Sequence, residues 1–260
     1  MRPWVAVVVS FKASALALAL AHYPLAALVV FFAPDPWLIL QFILPSQQAF
    51  GPALTAFATS RKEVWLTIDD GPDPASTPQL LELLARHGAR ATFFVVGRQV
   101  AKHPDLARRI AAEGHTIANH TQSHPSASFW CASRERTAGE IDGCVAALLL
   151  ANAPFERYFR PPVGVRNPFL DPQLRARGMD LVLWSARGRE GAGGNPDAAL
   201  ARIARGIRPG AIVLAHEAGP RASERLAFVG RLLELLEMGG YRCVIPARAS
   251  LLGASGVTAP

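Results

Sequence analysis

The stretch Leu66–Pro74, LTIDDGPDP, sets two carboxylates, Asp69 and Asp70, side by side between an apolar run and a Gly-Pro turn. Like charges at contact distance disfavour each other's ionisation, so the pair adds little stability by itself. Either water solvates both at a turn, or something positive is held there. Residues 119–125 read NHTQSHP, with His120 and His124 four positions apart. At that spacing two imidazoles can reach one cation from a helical turn or a tight loop. Taken singly, Asp-Gly-Pro is an ordinary turn and a histidine is more often structural than a ligand. Taken together, one carboxylate and two imidazoles make an open ligand set that leaves positions for water and substrate. The second carboxylate is then free to accept a proton from that water, and a cation explains the like-charge neighbours.

Positioning these groups falls to a pattern that begins after Arg61. VWLTID (64–69), ATFFVVG (91–97), HTIANH (115–120), RYFRPP (157–162), DLVLWSA (180–186), AIVLAH (211–216) and YRCVIP (241–246) read as strands. Between them lie segments with apolar residues at helical spacing, several opened by proline and closed by glycine, such as STPQLLELLARHG (76–88) and HPDLARRIAAEG (103–114). Strands alternating with helices imply βαβ units and a parallel sheet. About seven such strands predict an α/β fold, a distorted and incomplete (β/α) barrel rather than an open doubly wound sheet. No GxGxxG follows the first strand, which disfavours a dinucleotide site. In barrels the chemistry sits at the C-terminal strand ends, where Asp69, Asp70, His120, Arg160 and His216 all fall.

The N-terminal part has a different texture. Ala13–Phe32 carries no charged residue, and its twenty residues match the roughly 30 Å hydrocarbon core of a bilayer as one helix. A second apolar limb runs from Trp37 to Leu44. Ala56-Phe57-Ala58 resembles a signal-peptidase site, but the apolar run exceeds the ~7–15 residues of a signal, so an uncleaved membrane anchor is expected. The predicted division is therefore 1–60 anchor, 61–250 catalytic domain and 251–260 structureless tail, in a protein associated with the cytoplasmic or inner membrane. Arg2 and Lys12 precede the apolar region and Arg61 and Lys62 follow it, with only Asp35 charged between. A hairpin would keep the domain cytoplasmic and a single span would put it outside. The net charge of +7 comes from scattered arginines without interleaved aromatics, which argues against a nucleic-acid partner. Cys131, Cys144 and Cys243 form neither a disulfide framework nor a zinc ribbon.

TIDDGP, HTQSH, RPPVG and LAH, in this order over residues 63–246, resemble the polysaccharide deacetylase family, carbohydrate esterase family four. The resemblance implies a metal-dependent hydrolase that removes N-acetyl, sometimes O-acetyl, groups from a saccharide polymer, oligosaccharide or glycolipid, with a divalent metal, usually zinc. Residue by residue, it implies Asp69 as catalytic base, Asp70, His120 and His124 as metal ligands, and Thr121 as the brace of the histidine loop. It further implies Arg160 as the group orienting the base, His216 as the acid, and Leu214 as apolar wall for the acetyl methyl. Pro162 and Val163 fall in the RPPVG turn expected to meet the substrate, where the family commonly has an aromatic at the valine. Trp184 is expected to pack near the barrel rim, with a substrate contact as the second reading. The fourth motif departs from the pattern: LWSARGREG offers Arg187, Glu190 and Gly191 where an Asp-x-x-Asp-Trp run is usual. Glu190 could partner His216, His216 could act without a carboxylate, or the acyl pocket could be wider. A degenerate family member that binds glycan without catalysis, and a hydrolase of non-sugar amides, are the competing readings.

Overall fold

The computed structural model describes residues 3–44, 47, 49–190, 195–217 and 222–253. Ten strands form one sheet: β1 (Leu54–Phe57), β2 (Glu63–Asp69), β3 (Ala91–Val95), β4 (Thr116–Asn119), β5 (Tyr158–Phe159), β6 (Asp180–Leu181), β7 (Ala186–Arg187), β8 (Ala211–His216), β9 (Arg242–Cys243) and β10 (Leu251–Gly253). Their order is β10-β1-β8-β2-β3-β4-β5-β6, with β7 beside β8 and β9 beside β2. The ladders from β8 through β2 to β6 are parallel. The sheet curls until Val182, just past β6, bridges Leu54 of β1, so the barrel is shut there by a single bridge. This is the expected distorted α/β barrel.

Strand alternation decides what faces inward. Along β2, Val64, Leu66 and Ile68 join the core shared with the outer helices, whereas Trp65 belongs to the barrel interior. Thr67 and Asp69 share the phase of Trp65, so Asp69 faces the interior. On β8, Ala211, Val213 and Ala215 face the helices while Ile212 and Leu214 face in, which carries His216 inward too. The helices are α4 (Thr77–Arg86), α5 (Gly97–Lys102), α6 (Pro104–Ala112), α7 (Arg134–Leu150), α8 (Leu170–Ala176), α9 (Pro196–Gly206) and α10 (Ala222–Met238), preceded by N-terminal α1 (Pro3–Leu20), α2 (Pro24–Phe32) and α3 (Asp35–Ile43). Two helix starts carry side-chain caps: Asn195 Oδ1 accepts the Asp197 N–H (2.8 Å) at α9, and Ser133 Oγ accepts that of Arg136 (3.2 Å) at α7.

Several expectations are corrected. Ala13–Phe32 is not one helix; it breaks at Ala21–Tyr23, where His22 has φ 62° and Pro24 disfavours helix in the residue before it. α1 and α2 form a hairpin, in which Lys12 Nζ donates to the Phe31 carbonyl and pairs with Asp35 Oδ1 at 3.2 Å. Among the described residues, the apolar stretch long enough to cross a bilayer is instead Pro24–Ile43, 20 residues made of α2 and α3 end to end. The boundary at residue 60 cuts through the barrel's own sheet, because β1 pairs with β8 and β10. The structureless tail from 251 begins too early: Leu251–Gly253 is β10, and 254–260 lie outside the described residues. DLVLWSA is two short strands rather than one, because the Val182 and Leu183 carbonyls between them accept from the Arg160 guanidinium. The parallel strands are β2–β9, in keeping with the about seven expected, and β1, which runs antiparallel to β8 and β10, is added to them.

Candidate active site

The site is assembled at the C-terminal end of the parallel strands. Asp69 ends β2, and beside it in register stands His216, the end of β8. Asp70 (φ 83°), Thr121 (φ 72°) and His124 (φ 54°) all have left-handed backbone, a conformation that non-glycine residues adopt at a cost and that gathers at functional sites. Thr121 Oγ1 accepts the His124 N–H (3.0 Å) and Asn119 Oδ1 accepts that of Thr121 (2.9 Å), so the histidine loop is fastened from within. His120 Nδ1 lies 2.8 Å from the Arg160 carbonyl. A carbonyl only accepts, so Nδ1 carries the proton and Nε2 keeps its lone pair.

That lone pair points at Asp70 Oδ1, 3.6 Å away, and His124 Nε2 lies 3.3 Å from the same oxygen. The three donor atoms lie within 4.8 Å of one another. One carboxylate oxygen and two free imidazole nitrogens converging on one point fit a divalent cation. Burial, reinforced by His120, holds the His124 imidazole below its ordinary pKa, which keeps it neutral and able to donate its lone pair. Burial opposes ionisation of Asp70, but the imidazoles of His120, His216 and His124 outweigh it and hold the carboxyl well below the usual range.

Asp69 lies at the edge of this cluster and is tied to Arg160. Its Oδ1 accepts from Arg160 Nη1 at 2.7 Å, and the same nitrogen donates to Thr67 Oγ1 at 2.8 Å. Arg160 is fully buried, its guanidinium over the Phe94 ring at 4.0 Å. Removing one partner of such a buried pair would cost about 3–5 kcal/mol, because the other charge would be left uncompensated. Asp69 Oδ2 remains on the His120 side, 3.7 Å from Nε2.

On the facing flank, Glu190 Oε1 lies 2.8 Å from His216 Nδ1, and Glu190 is the residue the structure brings to the place where the usual aspartate is missing. Burial works to lower the His216 pKa, but the Glu190 carboxylate, with Asp69 and Asp70 behind it, raises it above the ordinary imidazole value. Arg187 does not contact His216; its guanidinium stacks on Trp184 at 5.0 Å. Gly191 lies outside the described residues.

Of the expected substrate contacts, Leu214 is buried in the barrel interior and Pro162 is buried in the turn, whereas Val163 is exposed with φ 50°. Trp184 is buried against that turn: a Cβ at Gly164 (φ +74°) would lie 2.2 Å from its ring, so Gly164 cannot be replaced without moving the indole. Two groups escaped the sequence reading. Arg225 of α10 brings Nη1 to 3.5 Å from Asp70 Oδ2, and nothing in an ordinary amphipathic helix marks it. Glu217 is buried beneath the Asp69–Gly71 turn; Thr77 Oγ1 donates to it (2.6 Å), and burial pushes its pKa up to about 8. A Cβ at Gly71 would meet Glu217 Oε1 at 1.6 Å, which explains the glycine. Its one sequence signal is a second ionisable residue closing an otherwise apolar strand.

A barrel with a carboxylate–imidazole cluster at its strand ends, a buried Arg–Asp pair and a supported histidine is equipped for acid–base hydrolysis beside a cation. The polysaccharide deacetylase family model matches residues 57–182. A chitooligosaccharide deacetylase of Bradyrhizobium is 38% identical over 63% of this chain and 74% of that protein. A peptidoglycan-N-acetylglucosamine deacetylase of Bacillus cereus is 35% identical over 71% of this chain and 86% of its own length. The chain belongs to the polysaccharide deacetylase family. Among solved structures, a family 4 carbohydrate esterase from Streptomyces lividans in complex with acetate aligns with a TM-score of 0.65 at 27% identity, covering 74% of this chain and 97% of that one. A family pseudoenzyme from Bacillus anthracis aligns at 0.64 and 26%, covering 73% and 65%.

Proposed function

We propose that this chain is a metal-dependent N-deacetylase of N-acetylated saccharides, tethered to a membrane by its N-terminal helices. The observation that carries the reading is the separation of the two neighbouring aspartates. Asp70 joins His120 and His124, while Arg160 holds one oxygen of Asp69 and leaves the other facing His120 at the cluster's edge. Asp70, His120 and His124 would hold the cation, with zinc the ion suited to one carboxylate and two imidazoles. When bound, such an ion polarises the acetamide carbonyl and acidifies water. Asp69 accepts the proton of the attacking water, turned toward it by the Arg160 hydrogen bond. His216, charged with the help of Glu190, protonates the departing nitrogen. An amine leaves only when protonated, so a supported acid favours N-acetyl over O-acetyl groups. Leu214 and the Pro162–Val163 turn border the space for the acetyl group and the sugar.

The membrane part of the reading rests on the 20-residue apolar helix and on β1, which signal cleavage after Ala58 would detach from the barrel. Trp4, near the start of α1, and Phe42, near the end of α3, both pack on Phe50 (ring centroids 5.2 and 4.6 Å), so these two helix ends lie together beside the catalytic domain. Basic residues flanking both ends then favour the cytoplasmic face.

One specific observation favours a second reading, a glycan-binding member without turnover: Arg187 occupies the place of the usual aspartate. Acetate release separates the two. Full-length chain stripped of metal and reloaded with zinc should release acetate from an N-acetylglucosamine oligomer or glycolipid, and chelation should stop it. One bound ion per chain with no acetate from any such substrate would overturn the proposal in favour of the second reading.

A further inference from the structure

The end of the candidate membrane helix is seated on the loops that build the active site. Arg166 follows the Pro162–Gly164 turn, at the C-terminal end of β5, and is fully buried. Its guanidinium caps the last carbonyls of α3 and the chain beyond, donating to Gln41 (2.9 Å), Leu44 (2.7 Å) and Gln47. Its backbone N–H donates to the Phe42 carbonyl (3.2 Å). A cation at a helix C-terminus satisfies both the orphan carbonyls and the helix dipole. Phe42 in turn packs edge-on against Phe50 (4.6 Å) and Trp130 (6.3 Å). Trp130 lies in the short turn Phe129–Cys131 that follows the His124 loop. Asn167 Nδ2 donates to the Phe129 carbonyl (3.0 Å), tying the two active-site loops to each other.

These same loops expose what a bilayer interface takes up. Trp130 is 52% exposed, Val163 55% and Phe169 43%, with exposed Arg134 and Arg136 beside the tryptophan. Aromatic and apolar tips flanked by arginine suit the headgroup layer of an anionic membrane. If α2–α3 crosses the bilayer and leaves it at Ile43–Leu44, the loops fastened to that exit lie at headgroup depth. A long water-soluble polymer would have to approach a mouth facing lipid, whereas a sugar on a lipid carrier is already there.

Resting on the deacetylase reading above, we propose that the active site opens onto the membrane surface and takes its acetamido sugar from a lipid carrier in that same membrane. The test uses the full-length chain in phosphatidylethanolamine–phosphatidylglycerol vesicles. Cys131 is exposed whereas Cys144 and Cys243 are buried, so a thiol-directed environment-sensitive fluorophore reports on this face. Lipids carrying a shallow spin label should quench it. The vesicles also carry an N-acetylglucosaminyl polyprenyl diphosphate, with chitotetraose offered in the water phase. The lipid-borne sugar should show a kcat/KM at least tenfold higher. The double substitution Trp130→Ala and Phe169→Ala should lower the ratio of lipid-borne to soluble turnover at least fivefold. Equal or faster turnover of chitotetraose, or an unquenched label on inserted protein, would overturn the lipid-carrier proposal while leaving the deacetylase reading intact. Quenching with no acetate from either sugar would overturn the deacetylase reading, and the lipid-borne substrate with it.

Discussion

The two flanks of the site are built by different means. On the base flank, the groups are held by several short contacts: Asp69 ends a central strand, Arg160 is locked by the Val182 and Leu183 carbonyls, and the Thr121 hydroxyl fastens the histidine loop. On the acid flank, His216 also ends a strand, but its orientation depends on one long side chain, Glu190, reaching back from beyond β7. The difference teaches that the base and metal ligands are tied to the fold itself, whereas the acid depends on a carboxylate that could come from more than one place in the chain. That is where relatives can diverge and where activity is most easily lost.

The comparison can be broken at its acid side. His216→Ala should lower kcat for N-acetyl substrates by about 10²–10⁴-fold, the usual worth of a positioned general acid, with metal content unchanged. A loss of less than tenfold, read by acetate release, would mean that the flank carries no acid. Glu190→Gln sharpens the contrast and has a smaller effect on rate. It removes the main group raising the His216 pKa, so the alkaline limb of the kcat/KM profile should move to lower pH, since the imidazole then loses its proton earlier. An unmoved limb would sever Glu190 from His216.

The smallest effect concerns the support beneath the base flank. Glu217 has a folded pKa of about 8 against an ordinary 4.5. Between those values the folded chain binds more protons than the unfolded one, so stability falls as pH rises from 4.5 through 8. Glu217→Gln cannot ionise. Its thermal midpoint should equal the parent's near pH 5 and exceed it by several degrees near pH 9. A constant difference across that range would show that the carboxyl titrates normally.

Much of the site was legible because Asp69, Arg160 and His216 fall at the ends of recognisable strands, and because Asp-Asp and His-x-x-x-His are short-range patterns. What was not legible depends on contacts remote in the chain. The strand through Val182 splits because its carbonyls serve Arg160. β1 and β10 are short edge strands whose pairing joins residues far apart in sequence, so no local pattern announces them. Pro24 is the local mark of the helix break inside the charge-free run Ala13–Phe32. Arg225 reaches the site only through tertiary placement, on a helix whose pattern is otherwise accounted for by packing, whereas Glu190 was already one of the partners the sequence offered for His216.

The central claim is a division of labour between adjacent carboxylates, and Asp69→Asn tests it most directly. Zinc content and acetate release should be measured together on the full-length parent and the variant. The account predicts one zinc ion per chain in both, with turnover in the variant reduced by roughly 10³-fold or more. A variant that turns over at the parent's rate, or a parent that folds yet binds no divalent ion, would contradict it.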